Sequence, residues 1–189
     1  RTSDPLRPLC GCCEKSVSDE VIIIPYIALA VSAVLVGLDQ LIKVLVQANL
    51  QLNESVSFIP GFIRFTYVEN TGAAFNSFDG QRWLLIGLTG VVIVALIVLL
   101  VLKKIRNPVI VWHIAVIIAG GLGNLIDRIF RGSVIDYIEF DFVYFAIFNF
   151  ADCLVVLGVI SLLVYLLFFD KADVLHLHKK TEHKDESND

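Results

Sequence analysis

Long apolar runs dominate the chain and alternate with short polar stretches. Four of these runs are about as long as a membrane-spanning helix, at residues 21–46, 83–102, 109–126 and 145–169. A helix needs roughly 20 apolar residues to cross the hydrocarbon core of a bilayer. Asp39, Gln40 and Lys43 interrupt the first run, whereas the second run is almost free of polar side chains. The pattern therefore predicts four transmembrane helices.

Two connections between these runs have a pattern typical of strands. Residues 56–68 are rich in Phe, Ile, Val, Thr and Tyr, and the pair Pro60-Gly61 interrupts them as a turn. Residues 133–140 alternate, so that every second side chain from Val134 to Phe140, including Asp136, shares one face. The predicted fold class is an all-α membrane protein with four transmembrane helices and a small extracytoplasmic β-structure.

The composition agrees with a location in a membrane. Of the 189 residues, 57% are hydrophobic and 18% are charged, whereas about a quarter of the residues in soluble domains are charged. The net charge is −4 and the sequence has no basic stripe, so no nucleic-acid partner is expected. We expect a disordered polar leader at residues 1–20, a four-helix transmembrane domain at residues 21–169 and a polar cytoplasmic tail at residues 170–189.

Basic residues beside the apolar runs predict the orientation. Lys103, Lys104 and Arg106 lie in the short connection between the second and third runs, and further basic residues lie in the leader and the tail. These three segments share one side of a chain with four spans. Because cytoplasmic segments carry an excess of Lys and Arg, we expect both termini in the cytoplasm and the two extended connections outside.

Most polar residues of the spans then converge on one layer, at the outer interface. This layer contains the ends of three spans and the two outer connections, with Asp39, Lys43, Asn70, Asn124, Asp127, Arg128, Asp136, Asn149 and Asp152. Ionisable groups inside a membrane are costly and usually mark functional sites. The pattern therefore predicts a functional site in this layer.

Spacing within the layer leaves two interpretations open for several of these residues. Asp39 and Lys43 are four residues apart on one helical face, so a structural ion pair is at least as well supported as direct chemistry. Arg128 could pair with Asp127 or meet lipid phosphate, so an orienting role is favoured over a catalytic one. Asn149 and Asp152 are expected in the first two turns of the fourth helix, and His113 is expected to be a satisfied residue of the bundle.

Asp136 and Asp152 are the best candidates for chemistry. Asp152 has no basic neighbour on its own helix, so its carboxylate should take up a proton or find a partner. Two carboxylates held close together share a proton, and one can deprotonate a water while the other protonates a carbonyl oxygen. The sequence contains no HExxH zinc motif and no GxSxG nucleophile motif that would favour another chemistry.

Five short segments follow one another along the chain in a recognisable order. They are Asp39-Gln40 with Lys43, Asn70-Thr71-Gly72-Ala73-Ala74-Phe75, Gly120-Gly121 through Gly123-Asn124-Leu125-Ile126-Asp127-Arg128, Val134-Ile135-Asp136, and Phe148-Asn149-Phe150-Ala151-Asp152. Together they resemble the motif set of bacterial lipoprotein signal peptidases (signal peptidase II), which are aspartyl peptidases. The agreement extends over residues 22–169. Each motif alone is weakly specific, but five in this order are specific.

The resemblance implies an endopeptidase that removes signal peptides from prolipoproteins, cutting directly before a cysteine that carries diacylglycerol. By motif, Asp136 and Asp152 take the catalytic positions. The residues in substrate-binding or dyad-supporting positions are Asn70, Gly72, Asn124, Arg128 and Asn149, and those in positions of structural polar support are Asp39, Lys43 and Asp127. The expected partners are the diacylglyceryl-modified prolipoprotein and membrane lipid, with no metal or other cofactor. We expect a monomer in the bacterial cytoplasmic membrane with its active site at the outer face.

Two other classes of protein remain as alternatives. A small proton- or ion-coupled transporter would also use carboxylates within the membrane. Its polar residues would have to continue through the depth of the bilayer, and the second span offers almost none. A non-catalytic assembly protein could use the polar layer to hold its helices together. Substitution of Asp136 and Asp152 by Asn separates these alternatives from a peptidase.

Overall fold

The computed structural model describes residues 11–72, 80–105 and 107–169, and for residues 11–22 it describes the backbone alone. Its elements in chain order are the helix α1 (Gly11–Asn49), the strands β1 (Ser55–Ile59) and β2 (Ile63–Asn70), the helices α2 (Arg82–Val101) and α3 (Pro108–Phe130), the strand β3 (Val134–Phe140) and the helix α4 (Phe150–Phe168). Arg106, the segment Ala73-Ala74-Phe75 and the tail at residues 170–189 lie outside the described residues.

Within the part of the chain that the structure describes, four helical segments are long and apolar enough to cross a membrane: Ile23–Asn49, Arg82–Val101, Pro108–Phe130 and Phe150–Phe168. They confirm the four predicted spans. Helix α1 extends back to Gly11, so part of the segment predicted to be a disordered leader is helical. A helix propagates at low cost once formed, so the apolar span can extend into the polar residues before it.

The fourth helix begins later than the hydropathy pattern predicts. The apolar run starts at residue 145, but α4 starts at Phe150, with Asn149 as its N-cap. Phe148 instead pairs with Ile138 as an isolated β-bridge, and its ring lies 5.3 Å from that of Phe140. Residues 145–148 are therefore apolar because they pack against the sheet, and not because they belong to a membrane-spanning helix.

Helix α3 is the centre of the bundle and packs against α1, α2 and α4. Its glycines permit close approach: a Cβ at Gly120 would lie 2.4 Å from the carbonyl oxygen of Ala151 in α4. Helix α2 packs mainly against α3 and only slightly against α1. The buried core between these helices consists of Ala28, Ile93, Leu100, Val111, Ile114, Ala115 and Ile118. Small residues allow helices to pack closely in lipid, where apolar side chains gain little from contacting one another.

The strands form an antiparallel sheet in the order β1-β2-β3, which confirms the predicted β-structure. Gly61, with φ of +73°, occupies the turn between β1 and β2, a conformation that glycine adopts readily. One face of the sheet buries Tyr67, Ile135 and Tyr137 against the end of α1. We call the end of the bundle where α1 and α3 finish and α2 and α4 begin the sheet end.

Candidate active site

Asp136 lies on β3, at the sheet end, and only 2% of its surface is exposed. Its Oδ1 accepts a hydrogen bond from Asn149 Nδ2 at 2.6 Å, and its Oδ2 accepts one from Asn70 Nδ2 at 2.9 Å. Asn70 ends β2 and pairs with Val134 across the sheet. Each carboxylate oxygen therefore has its own amide donor, and the sheet register brings both residues to the same place.

Asp152 lies in the first turn of α4 and forms a capping box with Asn149. Its Oδ2 accepts the backbone N–H of Asn149 at 3.1 Å, while Asn149 Oδ1 accepts the backbone N–H of Asp152 at 3.0 Å. Such a box satisfies backbone donors that a helix start otherwise leaves free. The expectation that Asn149 and Asp152 lie within the first two turns of the helix is corrected, because Asn149 precedes the helix as its cap.

Two asparagines connect the two carboxylates. Asn124 of α3 donates from Nδ2 to Asp152 Oδ1 at 2.7 Å, and its Oδ1 lies 3.2 Å from Asn149 Nδ2. Asn149 in turn binds Asp136, so an unbroken chain of hydrogen bonds runs from Asp136 through both amides to Asp152. The predicted convergence of Asn70, Asn124 and Asn149 on the two aspartates is present in the structure.

The environment of Asp136 favours its protonated form. Burial is the largest cause and the negative charge of Asp152 is the second, and together they raise the pKa of Asp136 from 3.8 to about 7. The hydrogen bonds from Asn70 and Asn149 act in the opposite direction, because amide donors stabilise the charged carboxylate. A proton is therefore available at this site near neutral pH.

Lys43 of α1 lies behind Asn124 and is completely buried. Its ammonium is 2.9 Å from Asp39 Oδ2, 2.7 Å from Asp127 Oδ2 and 3.0 Å from Asn124 Oδ1. These three contacts match the three N–H donors of a lysine side chain. Asp39 also accepts the backbone N–H of Ala151 in α4 at 3.1 Å. The predicted ion pair between Asp39 and Lys43 is present, and it links α1 to both α3 and α4.

Asp127 receives a second cation, which the sequence analysis missed. Arg131 forms an ion pair with Asp127 Oδ1 and also donates to Gln40 Oε1 at 2.9 Å. Gln40 Nε2 donates to the same Asp127 oxygen at 3.1 Å. The four-residue spacing of Asp127 and Arg131 is a signal that would have predicted this pair. Asp127 thus pairs with Lys43 and Arg131, not with Arg128 as one interpretation had it.

Arg128 instead extends toward the loop that follows β2. Its Nη2 donates to the carbonyl oxygen of Gly72 at 3.0 Å and its Nη1 to that of Asn124 at 3.4 Å. Gly72 donates its N–H to Asn70 Oδ1 at 2.9 Å, which orients the Asn70 amide toward Asp136. Within the described residues, Arg128 Nε is buried without a hydrogen-bond partner. The guanidinium of Arg128 also lies close enough to Asp152 and Asp136 for their charges to act on it.

A cavity of about 510 Å³ opens onto both carboxylates. Asp136, Asp152, Asn124 and Arg128 form its polar wall, and the rest of the lining is mostly apolar, with Val134, Phe145, Ala146, Ile147, Phe148, Val156 and Leu157. We call it the apolar cavity. It extends along α4 toward the middle of the span, so a ligand with an apolar portion at membrane level could reach the carboxylates.

His113 lies near the start of α3, and the expectation for it was a satisfied residue of the bundle. Its Nδ1 is 2.6 Å from the carbonyl oxygen of Val109, and its ring stacks on Tyr165 at 6.2 Å. Among the residues that the structure describes, no three metal-ligating side chains converge.

Comparison with known proteins gives the class and then the family. Residues 31–168 match the family model described as signal peptidase (SPase) II, so the chain is an aspartic peptidase of the membrane. With its four spanning helices it is a multi-pass protein of a bacterial inner membrane. The chain belongs to the signal peptidase II family. The alternative of a small transporter is not supported.

Relatives and solved structures agree with this family. The lipoprotein signal peptidase of Enterococcus faecalis is 41% identical over 145 residues, which cover 75% of this chain and 88% of the relative. That of Streptococcus thermophilus is 42% identical over 132 residues, which cover 70% and 86%. A bacterial membrane enzyme solved by the in meso method at 2.3 Å resolution superposes with a TM-score of 0.71 at 30% identity, over 77% of this chain and 90% of the other.

Proposed function

We propose that this peptidase removes the signal peptide of diacylglyceryl-modified prolipoproteins, cutting before the lipidated cysteine, with Asp136 and Asp152 as its catalytic pair. One observation carries the assignment of the pair: the continuous chain of hydrogen bonds from Asp136 through Asn149 and Asn124 to Asp152. The names of the relatives, lipoprotein signal peptidases, support the substrate class.

The pair needs one proton to hydrolyse a peptide bond. The charged carboxylate removes a proton from a water molecule as the water oxygen attacks the scissile carbonyl carbon, and the neutral carboxyl donates its proton to the carbonyl oxygen. When the tetrahedral intermediate collapses, the first carboxyl gives its proton to the leaving nitrogen and the hydroxyl proton returns to the second carboxylate. The raised pKa of Asp136 supports this division, because it keeps a proton in the pair near neutral pH.

The surrounding residues take supporting roles in this proposal. Amide side chains hold the carboxylates, from Asn70, Asn124 and Asn149. Arg128 lines the apolar cavity, where substrate would reach it, and Gly72 supports both Arg128 and Asn70 by hydrogen bonds. Arg128 Nε, which has no hydrogen-bond partner among the described residues, would donate to a substrate carbonyl. Asp39, Lys43 and Asp127 support the site from behind by fixing Asn124 and the start of α4. The apolar cavity suits the hydrocarbon of lipid and signal peptide, and the enzyme would act as a monomer.

The orientation of the protein is part of the proposal. The connection between α2 and α3 carries Lys103 and Lys104 at the end of the bundle opposite the sheet end. The excess of basic residues there favours the cytoplasm, which would place both termini inside and the carboxylates at the outer face. A membrane-impermeant thiol reagent applied to intact cells should then label a cysteine placed at Val56 and spare one placed at Lys103. The reverse labelling would contradict this orientation.

A cleavage assay read by gel shift tests the reaction. The purified protein in detergent should cleave a diacylglyceryl-modified prolipoprotein and leave the unmodified precursor intact. Asp136→Asn and Asp152→Asn should each lower the rate by about 100-fold or more, the usual contribution of a general acid or base. Glu54→Gln, which changes an exposed carboxylate on the loop before β1, serves as the matched control.

Each outcome of the assay has a distinct meaning. Cleavage of both precursors would support the peptidase activity but contradict the proposed requirement for a lipid-modified substrate. Normal cleavage by either aspartate variant would overturn the catalytic pair. A variant that no longer accumulates as a folded protein would support a structural role, so size-exclusion profiles of both variants have to accompany the rates.

A further inference from the structure

Asp136 lies at the junction of two cavities. The apolar cavity lies on one side and extends along α4 past Cys153 and Val156. On the other side is a groove of about 760 Å³ between the sheet and residues 141–147, which we call the polar groove. Asn70, Asp136 and residues 145–147 line both. The two spaces are therefore adjacent at the carboxylate that would carry out the chemistry.

The two cavities differ in chemistry. Apart from Asp136, Asp152 and Arg128, the described lining of the apolar cavity carries no charged side chain. The polar groove is lined, besides Asp136, by the charged residues Arg64, Glu69, Glu139 and Asp141. Arg64 forms an ion pair with Asp141 and lies 4.0 Å from Glu139. The lining thus contains one guanidinium and three carboxylates other than Asp136, so the groove has an acidic balance.

A polypeptide cleaved at Asp136 leaves the site in two directions. The portion of the polypeptide that is embedded in the membrane is apolar and so suits the apolar cavity, which extends along α4. The portion on the other side of the cleaved bond must continue away from the hydrocarbon, because unpaired peptide groups are costly there. The polar groove borders Asp136 on that side, and the sheet that forms it lies outside the spanning helices.

We propose that the polar groove binds the first residues of the mature polypeptide, directly after the lipidated cysteine, and that its acidic balance favours basic residues over acidic ones at these positions. The inference rests on the proposed function, since it assigns a subsite to the same reaction. The position of Asp136 in the lining of the groove supports this path for the polypeptide. The preference for basic residues comes from the carboxylates of Glu69, Glu139 and Asp141. The positive charge of Arg64 reduces this preference.

Three lipidated peptides test the proposal. They are identical up to the cysteine and differ only in the three residues after it, which are all Lys, all Ser or all Glu. In neutral detergent at low salt, kcat/KM should fall in the order Lys, Ser, Glu, by about two- to fivefold a step and mainly through KM, as expected for partly exposed charge pairs. Salt should reduce the differences, because exposed charges are screened.

Variants of charged residues in the polar groove test whether these charges cause the preference among the three peptides. Arg64→Gln should increase the ratio of kcat/KM for the Lys peptide to that for the Glu peptide, and Asp141→Asn should decrease it. Lys103→Gln, at the opposite end of the bundle, should leave the ratio unchanged. Because both peptides meet the same variant, a general loss of folding cancels in this ratio.

Two results would overturn the subsite. Equal kcat/KM for the three peptides, in an enzyme that cleaves the Ser peptide normally, would exclude a role for charge in the groove. A preference that is the same in wild type, Arg64→Gln and Asp141→Asn would place the binding of the mature polypeptide elsewhere. Failure to cleave any of the three peptides would count against the proposed function itself, and so the two failures are distinguishable.

Discussion

Asn149 donates its side-chain amide to Oδ1 of Asp136 across 2.6 Å. The same residue is the N-cap of α4, where its Oδ1 accepts the backbone N–H of Asp152. One fully buried side chain thus begins the helix that carries one carboxylate and binds the other carboxylate directly. The point at which α4 starts is therefore part of the geometry of the proposed catalytic pair.

Two substitutions of Asn149 separate its roles. Serine caps a helix about as well as asparagine, but its side chain is too short to replace the amide that binds Asp136. Alanine can neither cap the helix nor bind Asp136. Asn149→Ala should therefore be less stable than Asn149→Ser by about 1 kcal/mol. Both should lose roughly 10- to 100-fold in kcat, because each removes a hydrogen bond to a carboxylate. Thermal unfolding in detergent and cleavage rates measure the two effects. Full activity of Asn149→Ser would show that Asn149 supports activity only by capping α4, and that its hydrogen bond to Asp136 is not required.

The charge of Lys43 should matter for stability more than any single surface charge. Lys43→Met leaves Asp39 and Asp127 buried beside an apolar side chain. Removing one partner of a buried ion pair costs about 3–5 kcal/mol. The double variant Lys43→Met/Asp39→Asn should recover part of this loss, since an amide at position 39 can still accept the N–H of Ala151. Equal stability of the single and double variants, measured by thermal unfolding, would contradict this account.

Close helix packing at α3 predicts that its glycines are sensitive to a single methyl group. An added Cβ would lie 2.5 Å from Asp39 Oδ2 at Gly123 and 2.4 Å from Ala151 O at Gly120. We expect Gly123→Ala and Gly120→Ala each to cost about 1–3 kcal/mol, as overpacked sites do. Gly90→Ala in α2 is the matched control, because nothing lies within 4 Å of its Cβ. A similar melting temperature for all three variants would argue against this close packing.

Arg82, at the start of α2, should position Arg128 without touching substrate. Its Nε donates to the carbonyl oxygen of Arg128 at 2.6 Å and its Nη2 to that of Ile129 at 2.8 Å, so it holds the last turn of α3. Arg82→Gln should raise KM by about tenfold, the equivalent of one charged hydrogen bond, and change kcat little. Arg82→Lys keeps a cation near the carboxyl end of α3 and should recover part of the loss. An unchanged KM in Arg82→Gln would restrict Arg82 to folding.

The sequence was sufficient for features that depend on local periodicity. Apolar runs locate the four spans, and a four-residue spacing locates the ion pair of Asp39 and Lys43. The start of α4 was missed because hydropathy does not distinguish an apolar helix from apolar residues that pack on a sheet. The spacing of Asn149 and Asp152 was the available signal for a cap there.

Contacts between distant segments could not be read from spacing. Arg82 binds carbonyl oxygens 46 and 47 residues away, and no local pattern indicates such a pairing. The junction of the two cavities at Asp136 likewise depends on the register of β2 with β3, where Val68 faces Asp136. A slip of one residue in the pairing of two strands moves every side chain of a strand to the opposite face of the sheet. The pattern of residues within one strand does not determine which residues of the neighbouring strand it pairs with.

The raised pKa of Asp136 predicts how activity and stability depend on pH. Cleavage requires one proton in the pair, so kcat/KM should fall as the pH rises through about 7, where burial and the charge of Asp152 place the pKa of Asp136. Asn70→Ala removes an amide donor that lowers this pKa, so the alkaline limb should move to higher pH. Gln51→Ala, at an exposed residue beyond the end of α1, should leave the limb in place.

Stability should change over the same interval with a defined sign. Because the folded pKa of Asp136 is raised from 3.8, the folded state binds more protons than the unfolded state between pH 4 and 7, and the free energy of unfolding should decrease as the pH rises through that window. Asp136→Asn removes this contribution, so its melting temperature should vary less between pH 5 and pH 8 than that of the wild type. An equal variation in both proteins would mean that Asp136 does not hold a proton in the folded state near neutral pH, and the division of roles within the catalytic pair would have to be reversed.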